Sequence, residues 1–419
     1  MITKTTLEKT AYLNFSYRFA ARDPKGDVYP WKSRQNGGLP WEGFEKAAWL
    51  HHTTGVPVTW MVDSVALEQA GRRLAKFSEV YGDEIVLSLE AFAAQPMFAK
   101  FGVEQKAFGM RNYGREELVK IMTGMRRYAQ DVLGRDVRIG AGYWWSADVI
   151  AAAEECGFEG LWGLCWDQHG IDGATHRGSP WFPYYASASE FRAPSANENG
   201  LLLFPWYRAD LGNAFLYNDH PPFTTHSGEL ARWCLDYPRD YVNAMLNQAV
   251  LEAKISPFSY TEFHLECDWI DSSGIFHDEE MSPATEVWAI QKACVREAAG
   301  WKQFQIGSIN DFLQWHRERF SRTTRHTLWW TDPFGELPPL EFSADADALM
   351  VRDTNGNIVA RQSYSGGRLG EMDEGFRDRV GLRRKLAPDA TLSAVLVNRL
   401  RMNMGRDEEL LVQGVKHEQ

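Results

Sequence analysis

From residue 11 to about residue 320, short β-forming runs alternate with stretches whose apolar residues recur at helical spacing. "AYLNFSYRF" (11–19) predicts an aromatic-rich first strand, and the turn formers of 23–41 predict a long loop. A helix over 42–55, closed by Gly55, leads into a strand over 56–63. The next unit is a helix over 64–83, with Ser64 as the expected N-cap, and a strand over 84–92. An amphipathic helix over 114–136 precedes a strand over 137–145, then a helix over 146–157 capped by Ser146 and a strand over 158–166. "SPFSYTEFHLE" (256–266) reads as a strand because Pro257 and its aromatic neighbours disfavour a helix, and 309–322 reads as a closing helix. Repeated strand–helix units favour a parallel α/β architecture. No GxGxxG follows any strand, so a barrel fits better than a dinucleotide-binding open sheet. In a barrel the active site lies at the C-terminal ends of the strands.

The pattern changes near residue 320. Short β-like runs follow, and "DTNGN" (353–357) is a hairpin turn between two of them. The expected organisation is a (β/α) barrel over 1–322 and a small, sandwich-like all-β domain over 323–419. With 419 residues and 44% hydrophobic content, the chain is long enough for one large domain and one smaller one.

Charge and cysteine usage remove several function classes. The net charge is -11 with both signs interspersed, which lacks the basic stripe of a nucleic-acid binder. No apolar run approaches the roughly 18 residues of a membrane span, and the first residues lack the layout of a secretory signal. A cytoplasmic protein is therefore expected, with a homo-oligomer left open. The five cysteines are far apart and form no CxxC pair, as expected of reduced, mostly buried thiols.

Aromatic content changes the picture most. Many of the 17 tryptophans fall in clusters, at 143–145, 161–170, 180–185 and 328–330. Core packing accounts for part of this. Trp and Tyr beside Asp, His and Gly in loop-like sequence also suit stacking on sugar rings, which points to an oligo- or polysaccharide partner.

The order of elements resembles that of polysaccharide deacetylases (NodB-homology) and related glycoside hydrolases. The likeness is carried by "WLHHTTGVPVTWMVDSVALEQAG", by "REELVKIMTGMRRYAQDVLGRD" with the strand after it, by "SADVIAAAEECGFEG" and by "GSINDFLQWHRERF". It spans roughly residues 8 to 320 and implies a seven-stranded (β/α) barrel acting on sugars. The family's chemistry is not reproduced. Its first strand ends in two aspartates, whereas this one carries Asn14, Ser16 and Arg18 with no acid before Asp23. Its metal-binding His-x-x-x-His would follow "EIVLSLEAF", where this chain offers Glu90 and neither histidine. A divalent ion needs several converging His or carboxylate ligands, so no metal and no cofactor are expected.

Carboxylates then become the candidate chemistry. Glycoside hydrolysis uses two, one kept protonated by burial and one kept ionised by a cation or donors. Glu90 ends an otherwise apolar strand, and Asp167 follows one in "CWDQHGIDG". In 256–266, alternation puts Glu262, His264 and Glu266 on one face and Phe263, Leu265 and Cys267 on the other. The catalytic candidates are Glu90, Glu262, Glu266 and Asp167. Those for substrate binding are Trp145, Trp166, His169, Asp172, Trp181, Tyr184, Arg208, His264, Asp268 and Trp269. An Asp167–His169–Asp172 metal site and an Arg208 ion pair are alternatives for those positions, while His51 and His52 read as structural. The expected activity is a glycosidase with a carboxylate pair. The rivals are a metal-assisted polysaccharide deacetylase and a non-catalytic carbohydrate-binding protein.

Overall fold

The computed structural model describes residues 10–21, 38–89, 97–104, 106, 110–142, 146–164, 182–187, 194–195, 198–205, 225–233, 238–273, 283–330 and 339–363. The first half runs β1 (Thr10–Phe19), α1 (Trp41–Thr54), β2 (Thr59–Val62), α2 (Ser64–Tyr81), β3 (Glu84–Ser88), α3 (Met97–Lys100), α4 (Arg115–Leu133), β4 (Ile139–Ala141), α5 (Ala147–Glu155) and β5 (Gly160–Leu164). After β6 (Tyr184–Tyr185) and β7 (Leu202–Pro205) come α6 (Ser227–Trp233), α7 (Pro238–Ile255) and β8 (Phe258–Glu266). The barrel part ends with α8 (Ala284–Ala298), β9 (Phe304–Ile306) and α9 (Ile309–Arg319).

Seven parallel strands lie side by side in the order β7-β5-β4-β3-β2-β1-β8. The last of these seven in chain order, β8, thus returns beside the first, which is the cyclic order of a (β/α) barrel. Among the described residues the ring of backbone hydrogen bonds is open between β7 and β8. Side chains bridge that opening: Phe204 on β7 lies 5.8 Å from Tyr260 on β8, measured between ring centroids. β6 adds an antiparallel edge to β7, and β9 pairs with the start of β1.

β1 and β8 are in parallel register, with Asn14 beside Glu262, Ser16 beside His264 and Arg18 beside Glu266. Alternation sends these polar residues to one face and Leu13, Phe15, Phe263 and Leu265 to the other, where helices cover them. The parallel strands are buried on both faces, as such sheets are. At the N-terminal end of the strands, Phe312 of α9 plugs the interior, with ring centroids 4.9 Å from Tyr12, 4.7 Å from Tyr260 and 5.5 Å from Phe258. Asn14, with its amide turned to donate, bonds the Gly307 and Ser308 carbonyls at 2.8 and 2.9 Å just before α9. The interior above this plug is therefore polar along β1 and β8.

Local signals account for most element ends. Gly55, Gly82 and Gly134 close α1, α2 and α4 in the left-handed conformation, and Ser146 caps α5 through the Val149 amide. The cap of α2 differs from expectation. Asp63, not Ser64, accepts from Ala66 N, and its other oxygen accepts from Ala21 N after β1. One carboxylate can serve two segments where a hydroxyl could serve one. Gly163 has φ +112° and forms a bulge in β5, where a Cβ would lie 1.8 Å from the Gly142 carbonyl oxygen. His51 is structural, but not through a charged interaction with the helix dipole. It is buried, donates from Nδ1 to the Val56 carbonyl and accepts at Nε2 from the Tyr17 hydroxyl, and burial lowers its pKa to about 4, so it is neutral. Cys267 and Cys294 are buried thiols pushed up by desolvation.

A second sheet, β10 (His326–Trp330), β11 (Leu340–Ala344), β12 (Ala348–Arg352) and β13 (Ile358–Ser363), is antiparallel and ordered as in the chain. The expected turn at 353–357 is present, with the Asp353 carboxylate accepting from the Asn355 and Asn357 amides. His326 docks this sheet on the barrel by stacking on Phe182 at 3.7 Å. Among the described residues no helix is long and apolar enough to cross a membrane.

Candidate active site

Climbing from the Phe312 plug toward the C-terminal ends of the strands, the first carboxyl group is Glu262. It is fully buried. Ser16 is hydrogen-bonded to its Oε1, and the Tyr260 hydroxyl donates to its Oε2 at 2.5 Å. Desolvation pushes its pKa up to about 8 against these donors, so the carboxyl is protonated at neutral pH.

His264 is the next layer. Its Nδ1 lies 2.9 Å from Ser16 Oγ, and its ring is 4.3 Å from that of Trp162. Burial first, with Arg18 and His226 adding to it, holds the imidazole neutral by lowering its pKa well below the usual value.

Above it stand Glu266, Arg18 and His226, which keep slight exposure (4, 6 and 3%) where Glu262 and His264 have none. Glu266 Oε2 is 2.7 Å from His226 Nε2, and Oε1 is 3.3 Å from the Arg18 guanidinium. Burial alone would raise this carboxyl. The Arg18 charge, aided by the hydrogen bond from His226, outweighs it and holds the group well below the usual range. An ionised carboxylate only accepts, so His226 Nε2 carries the proton of that hydrogen bond, and Nδ1 is the nitrogen whose protonation can change.

The chain places His226 with some care. Thr225 Oγ1 bonds the Glu262 carbonyl, which pins the residues before α6 to β8. Ser227 bonds Gln291, whose amide donates to Tyr17 on β1 at 2.7 Å. Trp269, in the turn after β8, meets the His226 ring edge-on at 5.3 Å. Gly228 makes room for that indole, since a Cβ there would lie 2.4 Å from it.

Of the residues singled out from sequence, Glu262, His264, Glu266, Asp268 and Trp269 fall on this one strand and the turn after it. Asp268 is buried and its charge acts on His264 and Cys267. Tyr184 is fully buried at the other end of the barrel, where it pairs with Leu203 near the start of β7. Glu90, Trp145, Trp166, Asp167, His169, Asp172, Trp181 and Arg208 lie outside the described residues. Sequence reasoning passed over Ser16, Arg18, Trp162, His226 and Tyr260. The period-two polar series Asn14, Ser16, Arg18 within an aromatic strand was a usable signal, whereas "TTHSGE" around His226 offered none.

Among the described residues no group of three or more His, Cys, Asp or Glu is arranged to hold a metal ion. The cation beside Glu266 is Arg18 itself.

A family model described as a domain of unknown function with a solved structure (DUF3863) matches residues 46–202. No curated protein matches the chain. Among solved structures it is similar to a putative polysaccharide deacetylase from Mycobacterium smegmatis, with 11% identity, TM-score 0.46, and 73% of this chain and 91% of that one covered. It is also similar to Puue allantoinase, with 11% identity, TM-score 0.44, and coverage of 75% and 93%. A third is a probable polysaccharide deacetylase from Pseudomonas aeruginosa PAO1, with 13% identity, TM-score 0.42, and coverage of 74% and 93%.

Proposed function

We propose that the chain is a carbohydrate-active hydrolase that removes an acyl group from a sugar, with His226 as the general acid–base and Glu266 as its partner. The observation that carries this reading is the 2.7 Å contact between His226 Nε2 and the ionised Glu266, at the end of the barrel where catalytic groups gather. Glu266 fixes the imidazole's tautomer and would stabilise the imidazolium that forms when Nδ1 takes a proton from water. The hydroxide equivalent attacks the acyl carbonyl, and the imidazolium returns its proton to the departing amine or hydroxyl. Arg18 keeps Glu266 ionised throughout. Trp269 supplies an aromatic wall beside the dyad, of the kind that stacks on a sugar face.

Glycosidic cleavage is the second reading, favoured by one specific observation. Glu262 is protonated and Glu266 ionised, the split expected of an acid and its partner. Against it, both Glu262 oxygens are engaged by Ser16 and Tyr260, and the group has no exposure with which to meet a scissile bond.

The two separate by product. The purified protein is incubated with N- and O-acetylated oligosaccharides, and acetate and new reducing ends are both measured. Acetate release that is lost in His226→Gln supports the first reading. New reducing ends without acetate support the second. Binding with neither product would make the chain a carbohydrate-binding protein and overturn both.

A further inference from the structure

We propose that Ser16 is a hydroxyl switch that links the protonation of Glu262 to the tautomer of His264, forming a proton relay from the buried carboxyl to the Glu266 end of the site. Its relevance to turnover rests on the hydrolase reading above; the relay itself does not.

The geometry forces the link. Ser16 Oγ touches both Glu262 Oε1 and, at 2.9 Å, His264 Nδ1, yet its hydroxyl has a single proton to donate. When Glu262 is neutral, its Oε1–H donates to Ser16 while Tyr260 donates to Oε2. Ser16 then gives its own proton to His264 Nδ1, so the ring proton must sit on Nε2. When Glu262 is ionised it accepts from Ser16, and His264 must donate from Nδ1. Nε2 then carries no proton.

Nε2 is the nitrogen that faces Glu266, 3.9 Å from Oε1. That distance is too long for a hydrogen bond and short enough for charge to be felt. The two states differ by one proton. Going from the first to the second, the Glu262 proton passes to Ser16, the Ser16 proton passes to Nδ1, and the Nε2 proton is taken up by hydroxide from the alkaline solvent. The group that ionises is Glu262, but the proton exits beside Glu266. Moved together, the three transfers leave the His264 ring uncharged throughout, as its burial requires.

The groups around the relay pull it both ways. Among the described residues these are Tyr12 and Arg18 on β1, Asp63 after β2, Trp162 on β5, His226 before α6, and Glu266 and Asp268 at the end of β8. Glu266 and Asp268 favour a proton on Nε2, while Arg18 and His226 oppose it.

The test uses protein labelled with 15N-histidine and carboxyl 13C-glutamate, observed by NMR from pH 5 to 10. The expected result is an exchange of the protonated-type and unprotonated-type signals between the two His264 nitrogens, with the midpoint of the Glu262 carboxyl titration. The exchange should vanish in Ser16→Ala and return in Ser16→Thr, which restores a hydroxyl. One tautomer on both sides of the Glu262 titration would overturn the relay, as would an exchange that survives Ser16→Ala. Should Ser16→Ala not fold, Glu262→Gln takes its place and must show one His264 tautomer at every pH. The same samples are assayed for acetate release, where the alkaline limb of the wild-type pH–rate profile should share the NMR midpoint. A wild type without turnover overturns the hydrolase reading alone, because the NMR readout needs no substrate.

Discussion

Replacing Glu262 by Gln should make the protein more stable than wild type at alkaline pH, the reverse of what removing a buried polar group usually does. In the folded chain Glu262 has a pKa of about 8, against its ordinary value of 4.5. Between those values the native state holds a proton that the unfolded state has lost. Stability from this group is therefore complete below pH 4.5, falls as pH rises, and is gone above pH 8. At about 1.4 kcal/mol per pH unit the whole span is worth roughly 5 kcal/mol, and the part between pH 6 and 8 about 2 kcal/mol. Gln mimics the neutral acid, since its amide can donate to Ser16 and its carbonyl can accept from Tyr260, but it does not ionise. Urea unfolding followed by tryptophan fluorescence at pH 6, 7 and 8 measures the gap between the two proteins, in which shared titrations cancel. The variant should gain about 2 kcal/mol on wild type across that range. A gap that stays constant, or that moves in favour of wild type, would refute the assignment of Glu262 as a buried neutral acid.

Three further outcomes follow from packing and charge. Arg18→Met leaves Glu266 without its guanidinium, and breaking such a buried pair should cost about 3–5 kcal/mol, read as a lowered unfolding midpoint at pH 7. Phe312→Ala removes the plug that touches Tyr12, Tyr260 and Phe258, with an expected loss of about 3–5 kcal/mol by the same measurement. Gly163→Ala puts a methyl group onto the Gly142 carbonyl at a φ that alanine resists, so expression should yield no folded barrel by circular dichroism.

The barrel was legible because its signals are local. Helical periodicity, the closing glycines and the Ser146 cap each act within one or two turns, and together they order the strands. The swap of Ser64 for Asp63 as a cap was not legible, because it turns on the Ala21 amide, which is 42 residues away in the chain. The site was half legible for the same reason. Alternation along one strand placed Glu262, His264 and Glu266 on a common face, and the parallel register with β1 is what gives them Ser16 and Arg18. Register is a tertiary fact that neither strand states alone. His226 comes from a third segment, held to β8 by Thr225, and no spacing in the sequence announces that meeting.

The central claim is that the His226–Glu266 pair performs hydrolysis, and steady-state acetate release by His226→Gln tests it most directly. With folding verified by the unfolding midpoint, kcat should fall by about 10²–10⁴, the usual worth of a general acid–base. A variant that releases acetate at the wild-type rate would contradict the account.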